Sequence, residues 1–182
     1  MIRTLGWIIW AVLPVIGLAL HYGPGQDWLA YDDAAKIAAR AAVAQEEADE
    51  AQAAAHDAHL RTLEARKRLF LEGHDPGQPD DDAAAARLDV LRAEERRAYE
   101  VAAEAWRRVA ATYDEAAARI DGTEASDAMH WAAARAKVRS GQVFNGIQDL
   151  QQLLRMYLET GKGDTPMGEA IREELAAAQY VG

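Results

Sequence analysis

The residues of this chain best suited to chemistry are His56-Asp57-Ala58-His59, which put two imidazoles three positions apart. On a helix, positions three apart share a face, so the pair is near enough to hold one zinc or iron ion. It is only half a site. Helical metal centres complete the shell with carboxylates or a second Glu-x-x-His pair, and the sequence has no such partner. The two histidines are therefore expected on a solvated helix face. His74-Asp75 and the run Asp80-Asp81-Asp82 gather oxygen ligands, but without the spacing of a calcium loop. These aspartates read as helix caps. Glu46-Glu47 and Glu94-Glu95 fall on polar helix faces and read as solubilising charge.

The nucleophile inventory is equally thin. Cysteine is absent, serine occurs only at Ser126 and Ser140, and there is neither a glycine-rich phosphate loop nor a nucleophile elbow. The expectation is a protein without catalytic residues, cofactor or metal. A helical metal-dependent enzyme is the weakest alternative. The chain carries a net charge of −10, and because Arg3 is the one charged side chain before residue 21, the remainder carries −11. That charge disfavours nucleic acid and anionic lipid as partners.

The elements that carry these residues begin with an uncharged run, Leu5 to Leu20, preceded by Arg3 and bearing Trp7 and Trp10 near one end and His21 and Tyr22 at the other. Its sixteen residues would give about 24 Å of helix, a little short of a ~30 Å hydrocarbon core. The reading is a short transmembrane anchor over residues 1–23; a cleaved signal segment and a buried helix are the alternatives. With Arg3 before the run and Asp27, Asp32 and Asp33 after it, the amino terminus is expected in the cytoplasm and the bulk outside. In a bacterium this means a single-pass inner-membrane protein facing the periplasm.

The remainder is all-α by composition, rich in Ala, Glu, Arg and Leu and without an alternating β-branched segment. Residues 24–122 read as a long antiparallel, coiled-coil-like hairpin. Its first helix, starting at Asp27 or Asp32 and ending at Glu72, carries a heptad seam of Ile37, Ala41, Ala44, Ala48, Ala51, Ala55, Ala58, Thr62, Ala65 and Leu69. Alanine removes little apolar area, so this face holds only through close contact. After the loop Gly73 to Pro79, a second helix from Asp82 to Ile120 carries two seams. One runs through Ala84, Leu88, Leu91, Ala98, Ala102, Ala105, Val109 and Ala116 and is broken by Glu95; the other runs through Tyr99, Ala103, Trp106, Ala110, Tyr113, Ala117 and Ile120. Two faces imply two neighbours. A homo-oligomeric coiled coil acting as an envelope spacer satisfies the same pattern.

Residues 123–182 read as three shorter helices, Ser126 to Ser140, Phe144 to Glu159 and Pro166 to Tyr180. The stretch from Ala134 to Leu154, with Gly141 at a turn, Gly146 at a small position and Leu150 at a large one, resembles a tetratricopeptide repeat. Lys137, Leu153 and Leu158 depart from the family pattern, and Gly161-Lys162-Gly163-Asp164 disturbs its period. The resemblance covers about one and a half repeats, and the layout of an anchor followed by helical repeats is similar to that of bacterial envelope proteins. It implies a non-enzymatic protein-interaction or scaffold module with a concave face on the first repeat helix. Carried over by position, that face is Trp131, Arg135, Val138 and Arg139, suited to an acidic or carboxy-terminal peptide.

Overall fold

A computed structural model describes residues 24–71 and 79–181. The described residues form five helices and no strand: α1 (Pro24–Leu71), α2 (Pro79–Ala117), α3 (Glu124–Arg139), α4 (Val143–Glu159) and α5 (Pro166–Val181). Each packs chiefly on the next in the chain. The apolar run expected to anchor the protein, Leu5 to Leu20, lies outside the described residues. Among the described residues, no helix is long and apolar enough to cross a membrane.

The alanine seam is the contact face of the hairpin. Ala34, Ile37, Ala41, Ala48, Ala55, Ala58 and Thr62 are buried along α1, while Ala102, Ala105, Val109 and Ala116 are buried along α2. Alanine brings the two backbones close, and the second face of α2 then receives α3. Trp106, at 2% exposure, fills the junction where Ala48 of α1, Val109 and Ala110 of α2 and Ala136 of α3 meet. The polar crossings His59 to Glu95 and Gln45 to Tyr113 fix the antiparallel register.

Helix ends depart from the sequence expectations in ways that proline and capping explain. α1 begins at Pro24 and α2 at Pro79, earlier than Asp27 or Asp32 and Asp82, because proline's fixed φ suits a first helical turn whose N–H has no partner anyway. α2 ends at Ala117, where Arg119 and Ile120 turn to i−3 bonds with Ala116 and Ala117. The Thr123 hydroxyl then accepts from Ser126 N–H at 3.1 Å to cap α3, and the buried Ser126 hydroxyl donates to the Ala117 carbonyl at 3.2 Å. Thr165 caps α5 in the same way, accepting from Gly168 N–H.

The α3–α4 hairpin turns at Gly141, whose φ of 85° is available to glycine at little cost. The helices then cross at Gly146. A Cβ there would lie 2.6 Å from Val138 Cγ2 and 2.7 Å from the Ala134 carbonyl oxygen. Beyond this crossing, Leu150, Leu153, Tyr157, Ile171 and Ala178 form the second core with Ala134.

Candidate functional site

The four residues expected to line one concave face occupy three settings. Trp131 is half-buried against the second core, and the Arg135 guanidinium lies 5.5 Å from its ring centre. Arg135 Nε also sits 3.4 Å from a Glu174 carboxylate on α5, near enough for an ion pair but not aligned as a hydrogen bond. Val138 packs toward α4 at Gly146. Arg139 turns the other way, stacking 4.6 Å over Trp106 of α2 and pairing with Asp49 of α1 at 3.2 Å. Trp131 and Arg135 are brought together; Arg139 instead ties α3 to the long hairpin.

The histidine pair is divided as well. His56 is exposed, whereas His59 Nδ1 lies 2.7 Å from Glu95 Oε1 on α2. Glu95 is the residue that interrupts the apolar seam, and its carboxyl is held below the usual glutamate value by hydrogen bonds from His59 and then Thr62. A polar pair inside an apolar seam specifies register at some cost in stability. Among the described residues, no three His, Cys, Asp or Glu side chains gather to hold a metal. The loop around His74-Asp75 lies outside them.

A recess of about 610 Å³ opens where the end of α2 meets α3 and α4. Lys137 forms one wall. Its ammonium donates to Asp149 at 2.8 Å and lies 2.8 Å from Asp114, so it joins three helices. Burial lowers the lysine pKa, but the two carboxylates outweigh burial and hold it above the ordinary value. His130 Nδ1 is 3.9 Å from the same Asp114. At the far side, Tyr157 donates to Asp127 at 3.1 Å, and burial together with that carboxylate pushes the phenol up to about 12.

The recess is amphipathic and net acidic. Leu153 and Met156 supply apolar surface; Asp114, Asp121, Asp127, Asp149 and Glu159 outnumber the fixed cations Lys137 and Arg155. Asp114 and Asp149 are largely answered by Lys137, and among the described residues no cation pairs with Asp121 or Glu159 on the rim. The sequence marked Lys137 only as a place where a repeat would carry an aromatic, because its carboxylates come from positions 23 residues before and 12 after it. No protein-family model, curated protein or solved structure matches the chain.

Proposed function

We propose that this protein is a non-enzymatic interaction module, held to the inner membrane by residues 5–20 and facing the periplasm, that docks a basic segment of a partner protein in the recess between α2, α3 and α4. The long hairpin is its spacer and α3–α5, read as a degenerate tetratricopeptide-like unit, is its docking end. One observation carries this reading: the recess combines the apolar side chains of Leu153 and Met156 with a net acidic rim. A lysine- or arginine-bearing amphipathic segment complements both. Its dimensions suit a few side chains at a time, and the surrounding ion pairs give it fixed walls.

The Trp131–Arg135 face is a second reading, for an acidic peptide. It is the weaker one because Glu174 already neutralises Arg135. The experiment that separates them uses the full chain in nanodiscs and two labelled amphipathic peptides of opposite charge, followed by fluorescence anisotropy. The recess reading expects binding of the basic peptide that weakens with salt and with Asp121→Asn/Glu159→Lys. Binding of the acidic peptide alone, lost with Arg135→Ala, would replace it by the second reading.

A further inference from the structure

The first turns of α1 carry a cluster of large apolar side chains that no other described helix covers: Trp28 is 69% exposed, Leu29 53% and Tyr31 45%. Burial along α1 begins only at Ala34 and Ile37. The register set by Gln45–Tyr113 and His59–Glu95 explains this, since α2 runs out beside the region of Ala41 and the α2–α3 connection covers only a little more. Residues 24–33 therefore project from the bundle.

Two features identify what covers them. The first is azimuth. At 100° per residue, Leu29 lies 100° to one side of Trp28 and Tyr31 about 60° to the other, an arc of about 160°. A helix that docks on a protein groove concentrates its anchors in an i, i+3, i+4, i+7 stripe; a helix entering a lipid layer is solvated by lipid from many directions. The second is position. The apolar run ends at Leu20, four residues before α1 begins at Pro24. Trp28 thus follows eight residues after the run that the anchored reading puts in the hydrocarbon, where interfacial aromatics are expected.

We infer that the start of α1 is seated in the headgroup layer of the membrane, with Trp28 and Tyr31 as interfacial anchors and Leu29 directed toward lipid. The inference rests on the anchored reading proposed above. The charges nearby suit a headgroup layer and not the hydrocarbon: Asp27, Asp32 and Asp33 surround the aromatics, and Asp32 is paired with Lys36. Because these carboxylates are repelled by anionic lipid, the fitting surface is zwitterionic. The consequence is mechanical. Seating α1 at its first turns sets the hairpin upright and fixes the distance of α3–α5 from the membrane, which a flexible connection would leave free.

The absence of cysteine makes a direct test available, since a single introduced thiol is unique. Leu29→Cys keeps both aromatics, and Val43→Cys, at an equally exposed site further along α1, is the reference. Each full-length variant is spin-labelled and reconstituted in phosphatidylcholine/phosphatidylethanolamine vesicles. Flotation is checked first, and then collision with oxygen is compared with collision with a water-soluble nickel chelate. The expected result is flotation of both, with nickel accessibility several-fold lower and oxygen accessibility higher at position 29 than at 43. Adding Trp28→Ala/Tyr31→Ala to the Leu29→Cys chain should shift the label toward water. Vesicle-bound protein with position 29 as nickel-accessible as position 43 overturns the interfacial seat and leaves the anchor standing. Failure to float with vesicles overturns both.

Discussion

Replacing Gly146 by alanine should loosen the crossing that builds the docking end, even though alanine is the better helix former. An added Cβ would lie 2.6 Å from Val138 Cγ2, 2.7 Å from the Ala134 carbonyl oxygen and 3.0 Å from Val138 N. Only the first of these neighbours can turn away; the other two are backbone. Overpacking of this kind costs roughly 1–3 kcal/mol, and contacts with backbone put it at the upper end. The gain in helix propensity, about 1 kcal/mol, offsets part of that. A net loss of about 2 kcal/mol should lower Tm by roughly 4–8 °C for a chain of this size. Circular dichroism against temperature and urea measures it. Val138→Ala in the Gly146→Ala background removes the Cγ2 clash and leaves the carbonyl, so it should recover part of the loss. Gly141→Ala probes a different cause, since its Cβ meets nothing within 4 Å but its φ is 85°; a cost of about 1–2 kcal/mol is expected from backbone conformation alone. A neutral or stabilising Gly146→Ala would refute the close crossing of α3 and α4.

Three further outcomes follow from the ion pairs. Lys137→Met should destabilise by about 1–2 kcal/mol in urea unfolding, because it leaves Asp114 and Asp149 facing each other without the ammonium, and adding Asp149→Asn should recover part of it. Glu95 is more acidic in the fold than its ordinary value of 4.5, so its ionised form adds stability above that pH and the contribution fades as pH falls through the lower, folded value; Glu95→Gln should flatten the acid limb of a stability–pH profile. Tyr157, raised to about 12, contributes stability that is complete below the ordinary phenol value of 10 and is lost as pH rises through 12. Absorbance at alkaline pH should show a tyrosine ionising near 12, and Tyr157→Phe should remove that step.

Much of the fold was legible because its signals are local. The α1 seam from Ile37 to Leu69 follows from heptad spacing alone, and every member is buried or half-buried. The two seams of α2 announced two neighbours, which are α1 and α3. What spacing cannot supply is the partner of a polar residue across the fold. Glu95 was visible as a break in the seam, but its answer, His59, lies 36 positions away. Arg135 and Arg139 share a short helix, yet one turns toward α5 and the other toward α1 and α2, because the crossing at Gly146 and the Trp106 junction set the rotation of α3. The recess was illegible for the same reason, being assembled from three helices whose faces are defined only once they pack.

Docking of a basic partner segment in the recess can be read out with a photo-crosslinking residue at Met156, 38% exposed inside the recess, in the full chain expressed in native membranes. Phe144, 71% exposed on α4 outside it, is the control. The expected result is a discrete adduct from position 156 and none from 144, with the captured peptide rich in lysine or arginine and the adduct lost in Asp121→Asn/Glu159→Lys. Equal capture from both positions, or an adduct from 156 that is acidic and indifferent to the charge change, would contradict it.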